Sequence, residues 1–190
     1  MTTFIILLRG VTPTGRNKVP MAPLRAALTQ AGLRDVRTYI QSGNVIARSD
    51  LTHREIEKLV HDVIRRTLGG DIAVVARTPA QFADLLKRNP LGDAEGTRLY
   101  FSLLADEPDA KRLQQFLSAD FSPDQVRYAN KTIYTLYATK HSDSKFNNNF
   151  FERKLKVAAT TRNRNTMMKL AALTGVPFID SHTPESCNAL

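Results

Sequence analysis

Apolar residues recur along this chain with two different periods, which together predict a mixed α+β fold. The continuous apolar run at 4–8 predicts a strand buried on both faces, and the helical spacing of Met21, Leu24 and Leu28 predicts a helix after it. A β-rich hairpin at 36–48, an amphipathic helix that ends near residue 68 and an apolar strand at 72–76 complete the first cycle. The order βαββαβ closes most simply as a ferredoxin-like antiparallel sheet with two helices on one face.

A second cycle of elements follows a short helix that begins at Thr78-Pro79. An apolar strand at 99–104, a helix opened by Pro108, a hairpin around Asn130-Lys131 and an aromatic-rich helix near residue 150 repeat the order βαββα. The sequence therefore predicts two ferredoxin-like subdomains in tandem, at 1–77 and 78–175. The second includes the C-terminal helices, and residues 176–190 form a loosely ordered tail.

The first hairpin carries more polar groups around its turn than a turn requires. Gly43 and Asn44 tolerate the positive φ of a primed turn, so we place the turn there. Gln41 and Ser42 add two further small polar side chains beside Tyr39. We therefore treat Tyr39, Gln41, Ser42 and Asn44 as candidate ligand contacts.

The loop at 9–18 follows a strand, precedes a helix and is basic. It contains Gly10, Gly15 and three cations, among them Arg9 and Lys18. Backbone N–H groups of such loops, together with a helix N-terminus, can cradle an anion. The loop has neither the Gly-Lys-Ser/Thr of a Walker loop nor a dinucleotide fingerprint, so a plain surface loop is the alternative.

A polar segment at 160–166 precedes an apolar helix at 167–173. Asn165 or Thr166 is the expected N-cap. Arg162 and its neighbours beside this helix start form a second candidate anion site. The alternative is a capped, solvated turn without a ligand.

Charge is distributed unevenly along the chain, whose net charge is +9. Residues 1–34 contain five basic residues and no acidic one, and residues 125–169 contain ten basic residues against Asp143 and Glu152. A lopsided positive field suits an anionic partner such as nucleic acid or a phosphorylated molecule, although solvated surface lysines would give the same numbers. Cys187 is the only cysteine, and no apolar run is long enough for a membrane span, which together suggest a cytoplasmic protein.

Residue patterns of known catalytic chemistry are missing from the sequence. His53, Glu57 and His61 are spaced so that they could reach one metal ion, but no fourth ligand is evident, and a polar flank of a helix explains them. We find no catalytic triad or carboxylate pair and predict no metal or cofactor.

Three polar stretches resemble the motifs of a widespread bacterial family, the domain of unknown function numbered sixteen-ninety-seven. The first is Leu-Leu-Arg-Gly-Val-Thr-Pro-Thr-Gly-Arg-Asn-Lys at 7–18, where Arg9, Gly10, Gly15, Asn17 and Lys18 match and Thr12 and Thr14 depart from the family's Asn and Gly. Thr-Tyr-Ile-Gln-Ser-Gly-Asn-Val at 38–45 matches without change. Thr-Thr-Arg-Asn at 160–163 matches too, although Arg164 replaces an aromatic residue. The resemblance implies two ferredoxin-like subdomains and no known activity, and it favours a shared site because these polar residues are expected in loops.

We expect the loop at 9–18 to lie beside the turn at 41–44, because the first and third strands of a ferredoxin-like sheet are central neighbours. Local topology does not decide whether the segment at 162–166 joins them. In a single shared site, Arg9, Lys18 and Arg162 would surround a bound anion. The predicted ligand-binding residues are Arg9, Gly10, Asn17, Lys18, Tyr39, Gln41, Ser42, Asn44, Arg162 and Asn163. The favoured function is binding of nucleic acid or a phosphorylated molecule, in which strand aromatics such as Tyr100, Phe101, Tyr128, Tyr134 and Tyr137 would stack on bases. The alternatives are an enzyme that positions a phosphorylated or carboxylated substrate electrostatically, and a protein-interaction module.

Overall fold

The computed structural model describes residues 1–12, 14–15, 17–92 and 98–176 of the 190-residue chain. The first seven elements are β1 (Thr2–Leu8), α1 (Met21–Gln30), β2 (Arg34–Tyr39), β3 (Asn44–Ser49), α2 (His53–Leu68), β4 (Val74–Arg77) and α3 (Pro79–Lys87). Their strands form an antiparallel sheet in the order β2-β3-β1-β4. The predicted order of strands and helices is confirmed for this half.

The second half repeats the first element by element. It contains β5 (Leu99–Leu104), α4 (Ala110–Leu117), β6 (Gln125–Ala129), β7 (Thr132–Leu136), α5 (Asn148–Leu155), β8 (Ala159–Asn163) and α6 (Arg164–Leu173). Its antiparallel sheet has the order β6-β7-β5-β8, in which each strand occupies the place of the strand numbered four lower in the first sheet. The fold is therefore α+β, with two four-stranded antiparallel sheets and six helices among the described residues.

Three apolar clusters hold the layers together. The first lies between the outer face of the first sheet and α1 and α2, and the third lies between the second sheet and α4 and α5. The central cluster joins the inner faces of both sheets through α3 and α6, with Leu7, Phe82, Phe101 and Met167 among its buried members. Both faces of each sheet are covered by helices, so the two halves share one continuous apolar interior.

Strand β8 was missing from the sequence prediction, which treated 160–166 as a polar loop. Thr160 and Arg162 are both buried in β8, which pairs with β5 along its length. The N-cap of α6 is Asn163, whose side chain accepts a hydrogen bond from the Thr166 N–H, rather than Asn165 or Thr166. The prediction was wrong because a buried strand made of Thr, Arg and Asn has no apolar period to reveal it.

The two hairpin turns differ in length. In the first half four residues, 40–43, connect β2 to β3, and Ile40 and Gly43 have positive φ values of 48° and 79°. Asn44 belongs to β3 and is buried, so the predicted Gly43-Asn44 turn was placed one residue too far along. In the second half only Asn130 and Lys131 connect the strands, and both have positive φ, as a two-residue primed turn requires.

The division of the chain between residues 77 and 78 stays a prediction. Helix α3, which that division assigns to the second half, packs against β1 and α6. Residues 177–190 of the predicted tail lie outside the described residues. In the described part of the chain, no helix has the length and hydropathy needed to cross a membrane.

Candidate functional site

Arg162 lies at what we call the first junction, formed by the end of β1, the 40–43 turn, Arg162 itself and the start of α5. Its side chain is 9% exposed and donates six hydrogen bonds of 2.6–3.2 Å. The acceptors are the backbone oxygens of Leu8, Ser42, Gly43 and Thr161, Thr160 Oγ1 and Asn44 Oδ1. The hairpin turn and the C-terminal motif therefore meet at this junction, a point that the sequence left open.

The acceptors around Arg162 already use all of its donors. A guanidinium has five N–H groups, fewer than the six acceptors it reaches here. Burial lowers the pKa of Arg162 to about 10, which still leaves the side chain charged at neutral pH. Arg162 therefore acts as a structural cation that ties β8 to the turn, with no donor left for a ligand.

Asn44 is a second buried polar residue of the first junction. Its side chain is fully buried, and Nδ2 donates to Tyr39 O at 3.1 Å and to Ser42 Oγ at 3.0 Å. Its Oδ1 accepts from Arg162 Nε. The expectation that the polar motifs lie in loops outside the core is wrong for Asn44, Thr160 and Arg162, because they satisfy one another inside the protein.

Arg9 is neutralised by an acid from the other half of the chain. Its Nε donates to Glu152 Oε1 at 2.8 Å, and its Nη2 donates to Glu152 Oε2 at 2.6 Å and to Asn149 Oδ1 at 2.8 Å. Its hydrogen bonds to the Glu152 carboxylate raise the pKa of Arg9. Glu152 of α5 therefore balances the charge of Arg9, and it lies in neither of the polar stretches at 9–18 and 160–166.

The other predicted ligand contacts surround this junction with local roles. Gly10, at a φ of 63°, accepts through its oxygen from Asn17 Nδ2, and Gln41 Nε2 donates to Val19 O at 3.0 Å. Tyr39 packs half-buried against the central cluster, Asn163 caps α6, and Lys18 is exposed at the surface. A ligand for any of these residues stays a prediction.

The strand aromatics do not form one exposed stacking face. Phe101, Tyr134 and Tyr137 are buried, and Tyr100 and Tyr128 pack half-buried against the third cluster. Their hydroxyl groups have internal partners as well: Tyr134 donates to Leu85 O and Tyr137 donates to Phe146 O. Stacking of nucleic acid bases on these rings would need the covering helices to leave.

A cavity of about 510 Å³ occupies the second junction, formed by the end of β5, the turn Asn130-Lys131, Arg77 and the starts of α2 and α3. Both halves of the chain contribute to its wall. The lining residues are His53, Arg54, Glu57, Arg77, Gln81, Asp84, Leu85, Ala105, Asp106, Glu107, Asn130 and Lys131. This volume lies within the range of small-molecule sites, but the wall is more polar than most, since ten of its twelve residues are charged or polar.

The two junctions are equivalent positions of the internal repeat. Arg77 pairs with Ile5, which lies three residues before the end of β1. Arg162 pairs with Phe101, which lies three residues before the end of β5. Each arginine donates through Nη2 to the last residue of the central strand in the other half: Arg77 to Leu104 O at 2.6 Å, and Arg162 to Leu8 O at 3.0 Å. An arginine therefore occupies the equivalent position in each half of the fold.

Turn length explains why one junction is filled and the other is open. The four-residue turn at 40–43 reaches Arg162 with the Ser42 and Gly43 carbonyls. Among the described residues, Arg77 makes no such bond to the two-residue turn at 130–131, and donates only to Leu104 O and Ala76 O. The shorter turn leaves the space that forms the cavity.

Glu57 is the acidic group with the most perturbed surroundings in the cavity wall. It is half-buried, and its Oε1 accepts from the Ala76 N–H at 2.8 Å. Burial raises its pKa, against the opposing effects of the Ala76 hydrogen bond and of the Arg77 charge. Burial likewise lowers the pKa of Arg77. Perturbed groups of opposite charge in a cleft are a common property of functional sites.

Sequence reasoning missed this cavity and its residues. His53 and Glu57 were assigned to the polar flank of a helix, with a metal site as the less favoured alternative. In the structure, His53 Nε2 lies 2.8 Å from Gln81 Oε1 and Glu57 accepts from the β4 backbone. One signal was available. Arg77 and Arg162 each stand directly before a helix N-cap, Thr78 and Asn163, which marks them as equivalent positions of the repeat.

Comparisons with known proteins identify a family without an assigned activity. No curated protein sequence matches the chain. A solved structure described as that of the conserved bacterial protein SP0830 from Streptococcus pneumoniae matches with a TM-score of 0.74 at 22% identity, over 92% of this chain and 99% of the other. At this identity the match concerns the fold alone.

The family model described as "Protein of unknown function (DUF1697)" matches residues 1–134. The matched segment contains the first two polar motifs and the second half as far as residue 134, but not the Thr-Thr-Arg-Asn motif at 160–163. It also contains all the residues that line the cavity. The chain belongs to the DUF1697 family.

Proposed function

We propose that this protein binds a small polar molecule in the cavity at the second junction. The observation that carries the proposal is the cavity itself, about 510 Å³ in volume and lined by charged and amide side chains from both halves. We keep the prediction that the protein binds a charged ligand, but change the place where it binds. Its binding site moves from the first junction, where Arg9 and Arg162 have internal partners, to the second.

The equivalent first junction supports this proposal. There, Arg162, the longer turn at 40–43 and the buried amide of Asn44 fill the equivalent space. At the second junction Thr132 takes the position of Asn44, since Thr132 pairs with Leu103 as Asn44 pairs with Leu7. The shorter turn leaves an open polar cleft, whose exposed wall groups are hydrated unless a ligand replaces the water.

A thermal-shift screen tests this proposal with nucleotides, sugar phosphates, amino compounds and short RNA and DNA. A ligand present at 100 times its dissociation constant stabilises a protein by about 2.7 kcal/mol, which is readily measured. Ala105→Trp, which places a large ring in the cavity, should abolish the shift, whereas Ala22→Trp on the exposed face of α1 should retain it. If Ala105→Trp does not fold, Lys131→Glu replaces it. A shift that survives both cavity variants would contradict the proposal.

We infer further that each half is a ferredoxin-like subdomain and that the two arose by duplication. The order βαββαβ in each half and the strand order common to both sheets support this inference. The equivalence of Arg77 and Arg162 extends it to α3 and α6, each of which begins two residues after such an arginine. We also propose a cytoplasmic location, which the single cysteine in 190 residues supports.

Nucleic acid is a second candidate ligand, favoured by the outer surface of α4 and α5. Helix α4 contains Lys111 and Arg112 and no acidic residue, and the only acid of α5, Glu152, is engaged by Arg9. Arg153 and Lys154 lie 5.7 Å and 5.8 Å from the Phe150 ring centroid. This surface offers phosphate-binding cations beside a half-exposed ring.

Anisotropy of a labelled single-stranded RNA at about 50 and about 200 mM salt tests this second candidate, because phosphate neutralisation makes affinity fall steeply over this range. Arg112→Glu with Lys154→Glu should weaken binding at low salt. Reversal of the exposed Arg65 and Arg66 on α2 provides the control. Binding that is equal at the two salt concentrations would exclude this function.

A further inference from the structure

The cavity wall carries both signs of charge in nearly equal number. Its cations are Arg54, Arg77 and Lys131, and its acids are Glu57, Asp84, Asp106 and Glu107, which gives a net charge of −1 with His53 neutral. The whole chain, in contrast, has a net charge of +9. A ligand with only negative charges would therefore gain little from this wall, in spite of the basic character of the protein.

Most of these charged groups already have partners within the protein. Arg54 pairs with Asp106 at 3.5 Å, Asp84 accepts from Arg88 Nε at 2.6 Å, and Glu107 accepts from the Tyr128 hydroxyl. The Arg77 guanidinium donates to two backbone oxygens. The remaining charged groups of the wall are Glu57 and Lys131.

Glu57 and Lys131 stand on different halves of the molecule and carry opposite charges. Glu57 has one hydrogen bond, from the Ala76 N–H, which leaves its second carboxylate oxygen available. The Lys131 ammonium has no ion pair or hydrogen bond in the part of the chain that the structure describes. Asn130 and the Nε2 group of Gln81, whose Oε1 already accepts from the Thr78 N–H, add amide groups that can bind ligand hydroxyls.

We propose that the ligand is dipolar, with an ammonium group that pairs with Glu57 and a phosphate or carboxylate that pairs with Lys131. This inference rests on the proposed function, since it names the chemical class of the molecule in the same cavity. The Glu57 carboxylate is half-buried beside only one backbone donor, so an ammonium would supply the charge-assisted hydrogen bond that burial has removed. Hydroxyl groups on the ligand would match the amides of the wall.

Three matched probes test the inference by calorimetric titration of the full chain. Glucosamine 6-phosphate carries both charges, glucose 6-phosphate lacks the ammonium, and glucosamine lacks the phosphate. We expect the dipolar probe to bind at least tenfold more tightly than either of the others, because each loses one charge-assisted contact of about 1.5–3 kcal/mol. Equal or tighter binding of a singly charged probe would overturn the dipolar inference and leave the cavity proposal standing.

Two variants locate the contacts. Glu57→Gln should reduce the affinity for glucosamine 6-phosphate about tenfold and leave that for glucose 6-phosphate unchanged, whereas Lys131→Gln should weaken both phosphates. Asp62→Asn, on the same helix but outside the cavity, is the control. If no probe binds, the dipolar inference is wrong, and the thermal-shift screen then decides separately whether any ligand occupies the cavity. Circular dichroism of each variant verifies that it folds.

Discussion

Replacing the two equivalent arginines separately would measure how differently the two junctions are built. In Arg162→Ala, Leu8 O retains a bond from Thr160 Oγ1 and Gly43 O retains one from the Leu8 N–H. Ser42 O and Asn44 Oδ1 lose their donor. Each unsatisfied buried acceptor costs about 1–3 kcal/mol, so the two acceptors together account for about 2–6 kcal/mol. We expect a loss in this range.

Arg77→Ala should cost much less. Arg77 donates only to Leu104 O and Ala76 O and borders a cavity, so water can replace its bonds. We expect a loss of about 1 kcal/mol, the usual net value of a hydrogen bond.

Urea unfolding followed by far-ultraviolet circular dichroism suits the comparison, because the chain has no tryptophan to report by fluorescence. Arg127→Ala, at an exposed strand position, gives the cost of removing an arginine without such a network. Equal losses for Arg77→Ala and Arg162→Ala, or a loss below about 1 kcal/mol for Arg162→Ala, would refute the argument that one junction is filled and the other open.

Three further predictions concern single contacts. Gly43→Ala should destabilise the fold by about 2–3 kcal/mol, since its Cβ would lie 2.6 Å from Val11 Cγ2 at a φ of 79°. The control Gly69→Ala, at a φ of 71° with no atom within 4 Å, should cost only about 1 kcal/mol, and equal melting temperatures for the two variants would argue against the close contact. Glu57→Gln should raise the melting temperature at neutral pH, because burial raises the pKa of Glu57 and so makes its ionised form unfavourable in the folded protein. The gain should vanish as the pH falls below the ordinary glutamate pKa, where the carboxyl is protonated in both the folded and the unfolded chain. A gain that does not depend on pH would contradict this explanation. A double-mutant cycle of Arg9→Ala and Glu152→Ala should give a coupling of about 1–2 kcal/mol for this half-buried bidentate pair, and a coupling near zero would make it a surface contact only.

The periodic elements of this fold were predictable from sequence, and the reason is burial on recognisable faces. Residues 4–8 are apolar at every position because helices cover both sides of β1, and Ile56, Val60 and Val63 mark the buried face of α2. The capping boxes at Thr52 and Thr78 fix two helix starts by local chemistry alone. Such signals depend on neighbours in the sequence.

The candidate site depended on distant residues, which explains why its prediction was incomplete. Polar side chains in the three motifs indicated a meeting point but gave no means to distinguish a ligand site from an internal hydrogen-bond network. Glu152, the partner of Arg9, lies 143 residues away, and its helix shows no sign of that role in sequence. The cavity results from the two-residue difference in length between the turns at 40–43 and 130–131. This difference is recognised only when the two halves are aligned by the register of their strands.

The most direct test of the central claim is to map the amide chemical shifts of the protein on titration with a ligand found by the thermal-shift screen. The account predicts that the largest changes occur at the second junction, in the backbone amides of 105–107 and 130–131. Amides of Gly10 and the 41–43 turn, at the equivalent first junction, should change little. Largest changes at the first junction would show that the polar motifs bind the ligand after all, and would contradict the assignment of the cavity as the binding site.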